Sequence, residues 1–165
     1  MIASLEEVIR LMQLHGVRCI VIGGWAAIIH GTARSTNDVD LVYARDADNI
    51  HRLVEALRSW NPYLRGAPLG LPFRFDDATI RAGLNFTLTT SHGDLDLLGE
   101  VAGGGTYEQL LPHTQEVMAF GLRCQVVTLE HLIQLKRAAG RSRDLEVIAE
   151  LQALLEERRQ RQAPQ

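Results

Sequence analysis

Two aspartates one residue apart, Asp38 and Asp40, are the side chains in this sequence best spaced to do chemistry. In a strand, residues i and i+2 share a face, so both carboxylates point one way while Val39 and Leu41 point the other. Two like charges so close repel unless a cation lies between them. Hard oxygen donors in such a pair suit Mg²⁺, which is usually held by one or two carboxylates together with substrate phosphates. A phosphate site is offered just upstream. The apolar run Val17–Ile22 turns on Gly23-Gly24 and continues as Trp25–His30, which reads as a helix. Its unblocked first-turn N–H groups would face an anion. The longer G-x-G-x-x-G pattern of dinucleotide-binding folds is absent.

The remaining elements must position these groups. Leu5, Val8, Ile9 and Met12 recur at helical spacing, with Ser4 and Glu7 as a capping box and Gly16 as the stop. Beyond the aspartates the strand runs to about Tyr43, and a second amphipathic helix follows, capped by Asp46 or Asp48. Residues 61–75 hold Pro62, Pro68 and Pro72 with Gly66 and Gly70, and read as a long loop. Its Arg65 and Arg74 are expected to be solvated loop charges, with an anionic substrate as the alternative. A hairpin follows: Leu84–Thr90 alternates, Ser91-His92-Gly93 turns, and Asp94–Leu98 returns. Asp94 and Asp96 thus form a second pair on one face. Gly103-Gly104-Gly105 lacks the Lys-Ser/Thr of a phosphate loop and reads as a turn. Strands over 115–120 and 122–127 lead to a helix capped by Thr128, and a last helix begins around Ser142–Asp144. In that helix Leu145, Ile148, Leu151 and Leu155 are expected to pack inward, and the charged tail from Glu156 to fray.

Composition narrows the class. A chain of 165 residues, 46% hydrophobic and 22% charged, can bury one proper core. No apolar run reaches membrane-spanning length. A net charge of −3 argues against broad, charge-driven nucleic-acid binding. Cys19 and Cys124 read as buried thiols of a reducing cytoplasm rather than a disulfide. The six histidines lack the i, i+4 pairing of a zinc protease; His30, ending its helix, is expected to be a protonated, structural imidazole.

The stretch GGWAAIIHGTARSTNDVDL resembles the core motif of the nucleotidyltransferase superfamily, with its DNA polymerase β-like fold. It most resembles small bacterial nucleotidyltransferases related to AbiEii-type toxins of toxin–antitoxin systems. The resemblance implies an α/β (α+β) fold: a minimal nucleotidyltransferase fold with a mixed, twisted sheet flanked by helices and a C-terminal helical pair. Residues 1–165 would form one nucleotidyltransferase domain, with a core over about 1–127 and the helical part over about 128–160. It calls for a third carboxylate on a neighbouring strand, where Asp96 fits best and Asp94 is the alternative. Asp38, Asp40 and Asp96 would then be the catalytic and metal-holding residues. Leu132–Leu145 is similar to the lysine motif and following Arg-x-x-Asp of AbiEii-like proteins. By that likeness Lys136 would neutralise a triphosphate and Asp144 would help to hold Lys136 or the active-site loops.

Nucleotide binding would thus fall to Gly23, Gly24, Arg34, Thr36 and Lys136, with Arg34 alternatively a loop residue paired to a carboxylate. Many superfamily members carry Gly-Ser, but Trp25 follows Gly24 here, which would pass the hydroxyl's task to Ser35 or Thr36. Trp25 itself reads as core packing. The implied reaction moves an NMP from an NTP to an acceptor hydroxyl on tRNA, protein or a small molecule. Its cofactor would be Mg²⁺ or Mn²⁺, and a toxin's cognate antitoxin would be a partner. The rival reading is an inactive binding module or antitoxin of the same fold, which would have no need of clustered carboxylates.

Overall fold

The computed structural model describes residues 3–164. Its helices are α1 (Leu5–Leu14), α2 (Gly23–His30), α3 (Ala47–Leu57), α4 (Asp77–Ala82), α5 (Tyr107–Leu110), α6 (Leu129–Ala139) and α7 (Leu145–Gln162). The strands are β1 (Cys19–Ile22), β2 (Asp38–Tyr43), β3 (Tyr63–Leu64), β4 (Asn85–Thr90), β5 (Gly93–Leu98), β6 (Glu100–Val101), β7 (Gly105–Thr106), β8 (Thr114–Ala119) and β9 (Leu122–Val127). Seven strands make one mixed sheet in the order β3-β4-β5-β2-β1-β9-β8, and β6 pairs with β7 apart from it. This is the mixed α/β architecture of the nucleotidyltransferase fold.

Register places the chemistry. β2 and β5 run parallel with Asp38 opposite Asp94 and Asp40 opposite Asp96. β4 runs antiparallel to β5, setting Thr87 beside Asp96 and Thr89 beside Asp94. One face of this half-sheet is therefore polar. The alternate residues Val39, Leu41, Leu88, Leu95 and Leu97 are buried in the core, as the two-residue period of a strand requires. The α1 helix packs on α3 and β9, while α2 packs on β1, β2 and α6, and α6 packs on α7.

Several sequence expectations give way to local facts. Ser4 stands at the N-cap of α1 but its side chain makes no capping hydrogen bond, so the box with Glu7 is not formed. Asp46, not Asp48, caps α3, accepting from the Asn49 amide at 3.1 Å. The segment 61–75 is not wholly loop: Tyr63–Leu64 adds an edge strand to β4. The short helices α4 and α5 have too few residues for a periodic signal, while the turn expected of the triple glycine holds at Gly103-Gly104, with Gly105 beginning β7. The last helix buries Leu151, yet Leu145 is 66% exposed. Nor does its charged end fray: α7 runs to Gln162, with Arg158 donating to the His30 carbonyl at 2.7 Å.

That contact also corrects the charge expected of His30. The ring is buried, its Nε2 donates to the Val127 carbonyl at 2.7 Å, and its Nδ1 accepts from Arg158 at 3.2 Å. Burial, aided by the Arg158 charge and opposed by the Val127 bond, holds its pKa below the usual histidine range. The imidazole is structural and neutral. Cys19 and Cys124 are free thiols, and burial pushes them up to about 12 and about 11. No helix among the described residues is long and apolar enough to cross a membrane.

Candidate active site

A cleft of about 650 Å³ opens above the polar face of the sheet. Strands β2 and β5 form its acidic side, the start of α2 its floor, and α6 with the turn before α7 its basic side. Carboxylate oxygens of Asp38, Asp40 and Asp96 lie within 4.8 Å of one another. Asp94, opposite Asp38 in the register, is outside this group and lies beside Arg65, with Nε at 3.2 Å from its Oδ2.

The electrostatics of the cluster are those of crowded acids. Asp40 is the deepest and its pKa is pushed up to about 8, first by burial and then by the charges of Asp38 and Asp96. The adjoining Asp96 carboxylate favours the protonated form of Asp40, and the nearby Lys136 charge pulls the other way. Burial also raises Asp96, opposed chiefly by the positive charge of Arg65. A set of hard oxygens this close, holding a proton and an arginine against its own repulsion, is chemically suited to a divalent cation.

The glycine turn is explained by what touches it. Gly23 has φ of +68°, and a Cβ there would overlap the Asp40 carboxylate. A Cβ on Gly24 would come within 2.6 Å of Thr36 Oγ1. These two residues let the start of α2 lie directly against Asp40 and the 32–37 loop. The first-turn amides of α2 have no intrahelical partner and no side chain caps them, and Gly23 and Gly24 line the cleft. Thr36 donates weakly to the Asp38 carbonyl at 3.3 Å, and Ser35 lines the cleft beside it.

The basic side is assembled from distant segments. Lys136 Nζ, largely buried, lies 3.7 Å from Asp144 Oδ1, and Asp144 Oδ2 accepts from Arg141 at 2.9 Å. Asp144 is thus the holder of Lys136. Arg34 also lines the cleft, but its Nε donates to Glu150 at 2.8 Å and a terminal nitrogen lies 3.6 Å from Glu146. Its pairing with carboxylates of α7 is the alternative weighed from the sequence. Trp25 packs against the core, edge-to-face with Phe120 at 6.5 Å, and stays out of the cleft.

Arg65 departs most from expectation. It is not a solvated loop charge: one terminal nitrogen donates to Asp96 Oδ1 at 2.8 Å and to the Leu88 carbonyl at 2.8 Å, and the other lies 3.8 Å from Asp38. Its backbone N–H donates to Thr87 at 3.0 Å, continuing the edge pairing of β3. Position 65 therefore falls in the same cross-sheet row as Thr87, Asp96 and Asp40. Its neighbour in the row could not be read from a two-residue edge strand flanked by prolines. Arg74 does not line the cleft.

A family model described as a nucleotidyltransferase of unknown function (DUF6036) matches residues 2–95. The chain belongs to that family. The match spans the glycine turn, Asp38 and Asp40, and ends one residue short of Asp96. Solved nucleotidyltransferase structures share the fold of this family member at low sequence identity. The lincosamide antibiotic adenylyltransferase LnuA, solved with lincomycin bound, is 15% identical with a TM-score of 0.60, covering 93% of this chain and 99% of its own. An antigenic nucleotidyltransferase-like protein from Paracoccidioides brasiliensis is 14% identical with a TM-score of 0.52, covering 96% and 86%. No curated protein matches in sequence.

Proposed function

We propose that this nucleotidyltransferase-family protein transfers an NMP from an NTP to an acceptor hydroxyl in a metal-dependent reaction. The observation that carries the reading is the convergence of Asp38, Asp40 and Asp96 within 4.8 Å, in one cleft with the glycine turn and Lys136. Asp38 and Asp40, from β2, and Asp96, from β5, would hold Mg²⁺ or Mn²⁺. When bound, the metal would supply charge neutralisation for the phosphates and for the attacking and leaving oxygens.

The chain's own groups do the rest by positioning. First-turn amides at Gly23 and Gly24 would donate to phosphate oxygens, as helix N-termini do. Lys136, braced by Asp144, would add positive charge on the opposite wall. Thr36, which can turn its hydroxyl from a 3.3 Å backbone contact, is the candidate for the missing serine of the turn. Asp96, on the strand beside the Asp38–Asp40 pair, would accept the proton of the acceptor hydroxyl. Arg34 serves the fold of the 32–37 loop through α7 rather than the phosphates.

The acceptor classes are a small-molecule hydroxyl, a tRNA end or a protein hydroxyl. LnuA, a lincosamide adenylyltransferase of the same fold, puts small molecules first in the panel. A toxin role with a cognate antitoxin rests on the motif resemblance alone, and growth arrest on expression would test it. The decisive experiment offers each labelled NTP with Mg²⁺ to lincosamides, aminoglycosides, total tRNA and cell protein. Label should appear on one acceptor class and disappear with the Asp38→Ala/Asp40→Ala double variant. If no mixture consumes nucleotide and none is bound, the protein is a binding module of this fold.

A further inference from the structure

Arg65 occupies an unusual place. Four aspartates on two parallel strands stand in paired register positions, and this guanidinium lies against three of them: Asp96 at 2.8 Å, Asp94 at 3.2 Å and Asp38 at 3.8 Å. Only 28% of its side chain is exposed, so water screens the contacts weakly. The attachment is nevertheless incomplete. Its Nε, though near Asp94, is buried without a properly aligned hydrogen bond. What holds the head group is the summed charge of the carboxylates and the Leu88 carbonyl. It sits at the end of a two-residue edge strand whose following residues, 66–71, cross Gly66 and Gly70 at positive φ and leave Leu69 93% exposed.

We propose that Arg65 is a resident counter-ion of the acidic cluster, which stands in for the metal and competes with it until metal and nucleotide arrive together. This rests on the reading of Asp38, Asp40 and Asp96 as metal ligands. A cation held by Asp38 and Asp96 shares two carboxylates with the guanidinium, and the two positive charges repel across a poorly screened gap. Free metal must displace or distort Arg65, which weakens its binding. Metal arriving with a triphosphate brings negative charge of its own, and so offsets that repulsion. The protein thereby discriminates against metal without nucleotide. Arg65 is a positioning residue on this account. It moves no proton and touches no reacting atom.

The test is Mn²⁺ affinity without nucleotide, read by the electron paramagnetic resonance of free Mn²⁺. Arg65→Gln should bind Mn²⁺ roughly tenfold tighter than the parent, because one close positive charge has gone. Arg65→Lys, which keeps the charge, should stay near the parent. Affinity in Arg65→Gln equal to or weaker than the parent would overturn the proposal and leave Arg65 as a group that only orients Asp96. Equal tightening in Arg65→Lys would overturn it too, since charge would not be the cause. A separate control guards the underlying reading: if Asp38→Asn binds Mn²⁺ as well as the parent does, the metal assignment itself fails. Should Arg65→Gln not fold, hydrogen exchange on the parent protein decides. Saturating Mn²⁺ should speed exchange at residues 63–65 against the general protection that a ligand confers, and unchanged or slower exchange there would overturn the proposal.

Discussion

The two Asp-x-Asp strands are the same motif in different surroundings. Asp38 and Asp40 on β2 lie in register with Asp94 and Asp96 on β5, on one face of neighbouring strands. On β2 both carboxylates belong to the cluster. On β5 only Asp96 does, while Asp94 is left to Arg65. The cause lies beyond the strands themselves. The row of Asp40 and Asp96 sits against the start of α2, where Gly23 lets the backbone approach Asp40. Spacing puts carboxylates on a face, and what packs over that face decides which of them work together.

The sharpest way to break this comparison is to neutralise one residue of each strand. Asp40→Asn should lower nucleotide transfer by about a hundredfold or more, the scale of losing one well-placed electrostatic group, in a steady-state assay with the fold intact by circular dichroism. Asp94→Asn should cost only a few-fold, through the altered seat of Arg65. Equal losses in the two variants would make the strands equivalent and dissolve the distinction between them.

The pH dependence of stability sharpens it further. Asp40 titrates near 4 in an unfolded chain and is pushed up to about 8 in the fold. Between those values the folded protein keeps a proton that the unfolded chain releases, so metal-free stability falls as pH rises from about 4 to about 8. Denaturation midpoints followed from pH 5 to pH 8 without metal should show that fall. Asp40→Asn should flatten it, and a parent-like slope in that variant would locate the buried proton elsewhere.

The smallest effect concerns the basic residues. Arg34 is 44% exposed and pairs with Glu150 and Glu146, and water screens such exposed pairs so that they add little to stability. Arg34→Ala should therefore leave the thermal midpoint close to the parent's and the NTP KM within about threefold. A KM rise of tenfold or more would return Arg34 to the phosphates.

Much of this protein is legible in its sequence because strand and helix periods are local. The alternation of Asp with Val and Leu in 38–42 and 94–98 fixes which residues face the cleft and which enter the core, whatever lies around them. Gly23-Gly24 after an apolar strand announces a turn into a helix, and Thr128 and Gly140 bound α6 as their backbone preferences require. Other features depend on partners remote in the chain. Arg65 meets Asp96 across 31 residues, Arg34 meets Glu150 across 116, and Arg158 makes His30 a neutral acceptor across 128. No local pattern marks such pairings. Sequence alone determined the fold class and the face on which the acids stand; tertiary packing decided which acids crowd together, which cation sits among them and which bases are paired with carboxylates, because burial and charge act through space and not along the chain.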